Sequence, residues 1–180
     1  MQAIILAGQE NMALKAASSC RYEAEVPVAG RPMVDWVIRA LQDAKHVDQI
    51  ILVGPSVEAK GVVGIAPGKS LWESLDAGLS RLAQPAERVL IVTGDIPLIT
   101  GPILDEFIEQ SPGDADLVYP VISKSTTLAK FPDTKRTYVR LAGITVTGGN
   151  MVVANPKILP QVEARAKVLI SHRVLISLTC

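Results

Sequence analysis

Short apolar runs alternate along the chain with segments whose apolar positions recur at helical spacing. Residues 3–7, 49–53, 89–92 and 117–121 each hold a few aliphatic side chains bounded by Gly, Pro or polar positions. That pattern predicts parallel strands buried on both faces. After the first run, Pro32 opens a stretch in which Met33, Val37, Ala40, Leu41 and Ala44 share one helical face. Leu71, Leu75, Leu79 and Leu82 form a second stripe. A third helix is expected after Thr100, an N-cap candidate, with Pro102 in its first turn and Ile103, Phe107 and Ile108 facing inward. The order β-α-β-α-β-α-β implies an α/β fold, a Rossmann-like open and mostly parallel sheet with helices on both faces.

The later part of the chain is less regular. Residues 123–136 are rich in Ser, Thr, Lys and Pro without a period and read as a loop over the ligand face. Strand text resumes at 137–141, 144–146 and 151–154, and a helix is expected from Asn155-Pro156 to Ala166. Residues 168–180, VLISHRVLISLTC, are apolar without a helical stripe and resemble strand text. The chain reads as a single domain, 1–180, atypical or truncated from about residue 157.

Composition narrows the class of partner. The 180 residues carry 18 basic and 18 acidic side chains, so the charge balance favours neither nucleic acid nor an anionic membrane. A hydrophobic fraction of 48% and a mean hydropathy of +0.30 exclude intrinsic disorder. Two cysteines, Cys20 and Cys180, are too few for a disulfide framework, which fits a cytoplasmic setting. The apolar run at 3–7 is too short for a signal segment or a membrane span. A homo-oligomer stays open.

In an open parallel sheet, ligands sit beyond the carboxyl ends of the strands, so the residues after each strand come first. The first strand ends in Leu6-Ala7-Gly8, and the polar segment that follows carries Lys15 and Arg21. A loop there could wrap phosphates, although a tight turn and a surface loop, common after a strand, explain Gly8 with no ligand. Neither the dinucleotide fingerprint nor a Walker A loop is present. The third strand ends Thr93-Gly94-Asp95-Ile96-Pro97. A carboxylate on such a stiff turn suits a Mg²⁺ ligand or an Asx-type cap. Thr147-Gly148-Gly149-Asn150 could line a ligand or form a hairpin turn. Lys135, Arg136 and Arg140 could dock a phosphate or form a solvated face.

These pieces fall in a familiar order. AIILAG, PVAGRPMVDWVI from Pro27, PGKSLWESL from Pro67, VTGDIPLIT from Val92 and TGGNMVVANP from Thr147 together resemble the MobA-like NTP transferases, nucleotidyltransferases of the sugar-nucleotide and molybdenum-cofactor guanylyltransferase type. The resemblance implies the nucleotide-diphospho-sugar transferase fold, an NTP and a phosphorylated small-molecule acceptor as substrates, and Mg²⁺ as cofactor. It implies nucleotide-binding roles for Leu6, Ala7, Gly8, Gly68 and Ser70, with Asp95 as the metal ligand. Lys15 or Arg21 would meet the charge on the leaving pyrophosphate, and Lys135, Arg136 and Asn150 would lie near the acceptor. The chain departs from the family pattern at Gln9, which replaces a second glycine, and at Arg21, which stands where a lysine is usual. Glu10 adds a negative charge to the same loop. A second function therefore stays open, a nucleotide-binding or protein-interaction module that keeps the fold without the transfer.

Overall fold

The structure is a computed structural model that describes residues 1–12, 14–84 and 86–177, with side chains described as far as residue 168. The chain begins with β1 (Gln2–Leu6) and the hairpin β2 (Pro27–Val28) and β3 (Arg31–Pro32). The helix α1 (Met33–Asp43) leads to β4 (Gln49–Val53) and β5 (Val62–Ile65). Then come α2 (Leu71–Leu79), β6 (Val89–Thr93) and α3 (Gly101–Gln110). The last part contains β7 (Leu117–Val118), β8 (Val121–Ser123), α4 (Lys124–Lys130), β9 (Val139–Leu141), β10 (Ile144–Gly148), β11 (Met151–Ala154) and α5 (Leu159–Ser177).

Six strands form the main sheet in the order β5-β4-β1-β6-β11-β7. The pairs β5–β4, β4–β1 and β1–β6 are parallel, whereas β11 is antiparallel to both β6 and β7. Alternation along the strands divides the core into two layers. Ala3 and Ile5 of β1, with Ala7 just beyond it, pack with Ile50, Leu52, Leu90 and Val92 beneath α1 and α3, against Val34, Val37, Leu41 and Leu104. Ile4, Ile51, Val53, Val89 and Ile91 face the other way, against Leu75, Leu82 and Leu159. The expected α/β architecture with helices on both faces is the one found.

Several local expectations are corrected. The run 117–121 is not one strand: it breaks at Tyr119-Pro120, so that β7 ends the main sheet and β8 enters a separate antiparallel sheet, β8-β10-β9. Residues 123–136 are not all loop, because Ser123 caps α4, its hydroxyl accepting from the Thr126 N–H at 3.0 Å. In α3, Phe107 and Ile108 pack against the core as expected, but Ile103 is exposed and the fully buried residue is Leu104. Leu71 is likewise exposed. The edge strand β5 escaped the pattern because its VVGI text is short and half-exposed. The tail backbone is helical through Ser177 rather than a strand, and residues 178–180 lie outside the described residues. Among the described residues, no helix is long and apolar enough to cross a membrane.

Two features of the frame generate predictions. Both two-residue hairpin turns place alanine in left-handed backbone, Ala29 at φ 51° and Ala142 at φ 47°, each followed by a glycine at positive φ. Asn tolerates that conformation better than Ala. Ala29→Asn and Ala142→Asn should each raise stability by roughly 0.5–1 kcal/mol, read as a higher midpoint in urea; an unchanged or lower midpoint for both would contradict the strain argument. The second feature is Asp105 of α3, buried, which accepts the backbone N–H groups of Lys45 at 3.1 Å and His46 at 3.1 Å. Burial alone would raise its pKa, but those two donors, with the charges of His46 and Lys45, outweigh it and hold the carboxyl below its ordinary 3.8. A lowered folded-state pKa means the stabilisation is present above the unfolded-state value and lost as pH falls through the folded one. The melting-temperature gap between the natural chain and Asp105→Asn should therefore be widest near neutral pH and close below about pH 4. A gap independent of pH would refute this.

Candidate functional site

A cleft of about 720 Å³ opens at the carboxyl ends of the parallel strands. Its floor is built by small residues. Ala7 continues β1, its N–H donating to the Val53 carbonyl at 2.8 Å, and the Gly94 N–H donates to the Leu6 carbonyl at 2.9 Å. A Cβ on Gly54 would come within 2.7 Å of the Ala7 Cβ, and one on Gly94 within 2.6 Å. A Cβ on Gly8 would overlap the Pro67 ring. The ends of β1, β4 and β6 and the 66–70 turn can thus meet only because these positions lack side chains.

The 66–70 turn is internally satisfied. The Gly68 N–H donates to Ser74 Oγ at 3.0 Å and the Lys69 N–H to Glu73 Oε2 at 2.8 Å. Ser70 is the N-cap of α2, its Oγ accepting from the Glu73 N–H at 3.1 Å. With these donors taken and the Glu73 carboxylate beside them, the start of α2 attracts an anion less than a bare helix N-terminus would.

On the opposite wall, the segment after β1 folds back. Glu10 and Tyr22 form an antiparallel bridge, with Asn11 N–H donating to Arg21 O at 2.8 Å and Glu23 N–H to Gln9 O at 3.0 Å. The excursion between them is organised by Asn11, which is only 1% exposed. Its Nδ2 donates to the carbonyls of Ser18 and Cys20, and its Oδ1 accepts from the Leu14 N–H at 3.0 Å. The Arg21 guanidinium lies over the Tyr22 ring, 5.0 Å from its centroid.

Seven of the residues singled out in the sequence line this cleft together: Leu6, Ala7, Gly8, Arg21, Gly68, Ser70 and Asp95. Asp95 is exposed, and among the described residues its carboxylate takes part in no hydrogen bond or ion pair, so the Asx-type cap is absent. Lys15 sits on the exposed turn of the excursion, outside the lining. Lys135 and Arg136 are exposed on the segment between α4 and β9, also outside it. Asn150 is exposed and adjoins the cleft through its backbone, its carbonyl accepting from the Thr93 N–H at 3.0 Å. The hairpin alternative for 147–150 fails, because this segment passes from β10 in the small sheet to β11 in the main one. Gly148 and Gly149 are explained by packing: side chains there would collide with Tyr119 and Pro120.

Sequence reading missed Tyr22, Glu23, Lys69, Ser74 and Thr93, all of which line the cleft. The Thr93 hydroxyl is buried and without a partner among the described residues. The lining carries two cations, Arg21 and Lys69, against three carboxylates, Glu10, Glu23 and Asp95. Among the described residues no group of three or more His, Cys, Asp or Glu side chains is placed to hold a metal. A single unpaired carboxylate does fit a hard cation that fills its shell with phosphate oxygens and water.

The sequence profile of the MobA-like NTP transferase domain matches residues 3–176. The chain is 35% identical over 89 residues to the bifunctional protein GlmU of Caldanaerobacter subterraneus, which is 46% of this chain and 20% of that protein. It is 35% identical over 80 residues to the 2-C-methyl-D-erythritol 4-phosphate cytidylyltransferase of Prochlorococcus marinus, 38% of this chain and 36% of that one. The aligned parts thus span well under half the length of these curated relatives. A hypothetical transferase from Thermus thermophilus superposes with a TM-score of 0.77 at 36% identity, covering 97% of this chain and 74% of that one.

The buried amide of Asn11 should matter locally. Asn11→Ala leaves the Ser18 and Cys20 carbonyls and the Leu14 N–H unpaired, at a cost of about 1–3 kcal/mol. Limited proteolysis should then cut within residues 12–20 faster than in the natural chain; equal cutting rates would show that the amide does not hold the excursion.

Proposed function

Because the chain belongs to the MobA-like NTP transferase family, we propose that it transfers a nucleotidyl group from an NTP to a phosphorylated small acceptor and releases pyrophosphate. The observation that carries this reading is the convergence of Leu6-Ala7-Gly8, the 66–70 turn and Asp95 on one cleft beyond the strand ends. The close approach of Gly8 to Pro67 makes a narrow slot with a satisfied backbone on one side, suited to a flat, neutral base between Leu6–Gly8 and Gly68–Ser70.

In the transfer, an acceptor phosphate oxygen attacks the α-phosphorus in line, a new P–O bond forms, and the bond to the β-phosphate oxygen breaks as pyrophosphate departs. A phosphate nucleophile is already ionised and needs no strong base, so catalysis is positioning and charge neutralisation. Arg21, on the cleft wall, is suited to the charge that grows on the leaving group. Lys15, on the exposed turn, would take part only in company with a long triphosphate. Asn150, beside Thr93, and the exposed Lys135 and Arg136 are the groups for the acceptor. Asp95 would hold Mg²⁺, which when bound neutralises phosphate charge and aligns the reacting oxygens.

Cations in the lining are outnumbered by carboxylates, so the cleft by itself repels a triphosphate. Nucleotide binding should therefore depend on a divalent cation: thermal stabilisation by NTPs is expected with Mg²⁺ and lost in EDTA. Asp95→Ala should lower NTP-dependent pyrophosphate release about a hundredfold or more. Activity within a fewfold of the natural chain would overturn the metal role. The excess of carboxylates is also what favours a binding module without transfer, and stabilisation by NTPs with no pyrophosphate released to any phosphorylated acceptor would decide for it.

A further inference from the structure

Arg21 shares the cleft wall with Glu10 and Glu23, yet among the described residues its guanidinium forms no ion pair and none of its N–H groups has an acceptor. Its partner is instead the face of Tyr22, 5.0 Å away. The residue that carries this ring is buried and held by its backbone. Tyr22 is 9% exposed, its backbone bridges Glu10, and its N–H donates to Glu25 Oε2 at 2.9 Å.

We propose that Tyr22 is a positioning residue that holds the Arg21 guanidinium over the cleft for the phosphate oxygens of the nucleotide and of the leaving pyrophosphate. The inference rests on the nucleotidyl-transfer reading above. The argument is one of geometry. The face of the ring attracts the guanidinium without accepting a conventional hydrogen bond, so it restrains the side chain and leaves the N–H donors for a ligand. A carboxylate partner would restrain it equally but would consume the donors and cancel the charge. An exposed arginine otherwise surrenders much rotamer freedom when a ligand arrives, and the ring removes part of that cost beforehand. A lysine at this position would gain less, since its ammonium has no face to stack and is more strongly hydrated.

The test is a double-substitution cycle on the full chain with magnesium pyrophosphate as the probe, followed by titration calorimetry. Tyr22→Leu should weaken binding about threefold to fivefold, and Tyr22→Phe, which keeps the ring, should stay within about twofold of the natural chain. In an Arg21→Ala background, Tyr22→Leu should have no further effect, because the ring acts through the guanidinium. Thermal melts check that each variant is folded; if Tyr22→Leu is not, Tyr22→Met replaces it in the cycle. Equal losses from removing the ring with and without Arg21, or a Phe variant as weak as Leu, would overturn the positioning role alone. Failure of the natural chain to bind magnesium pyrophosphate and to respond to any NTP would overturn the transfer reading, and this inference with it.

Discussion

The cleft exists because the backbone around Ala7 can be approached from both sides. Gly54 follows β4 and Gly94 follows β6, and each lies so close to Ala7 that a methyl group would not fit. Three strand ends are thereby drawn together, and the chain beyond each is released into the same small volume. Gly8 repeats the device in the direction of the Pro67 turn. The layers of aliphatic side chains stabilise the sheet, but they set no position for a ligand. That position follows from where side chains are missing.

This division also accounts for what could be read from the sequence. The strands β1, β4 and β6 and the helices between them were legible because aliphatic runs and helical spacing reflect two-sided burial, as at Ile4, Ile5, Ile51 and Leu52. The candidate cleft was legible where a close backbone approach leaves a glycine in the text, as at Gly8 and Gly94, and Gly68 was reached through the family resemblance. It was not legible where a side chain works through a partner distant in sequence or of ordinary type. Ser74 is a helical serine until its hydroxyl is seen to hold Gly68. Tyr22 reads as a loop aromatic until its ring is found beneath Arg21. The break at Tyr119-Pro120 was not legible because the apolar run continues through it to Ile122, and only the switch of pairing partners separates β7 from β8.

The electrostatics of the cleft fall into two halves. Around the 66–70 turn, the Gly68 and Lys69 N–H groups are spent on Ser74 and Glu73, and the Glu73 carboxylate lies beside them. Around β1 and β6, among the described residues, Arg21 has no hydrogen-bond acceptor on its guanidinium and the Asp95 carboxylate has no partner. A molecule with a neutral flat part and a highly charged tail matches that polarity in one orientation only. The departures from the family's glycine-rich loop at Gln9 and Glu10 fall in the charged half, where Glu10 adds a negative charge.

The bridge between Glu10 and Tyr22 ties off the excursion at its base, and Asn11 clamps it from inside. Its exposed tip therefore hangs outside the circuit that forms the cleft. Lengthening a loop closed in this way costs little, about 0.6 kcal/mol for each doubling. The tip at Ala16 and Ala17, between Lys15 and the clamp at Ser18, is thus a place where the chain can gain a reporter group, a recognition peptide or an added segment while the cleft walls keep their register.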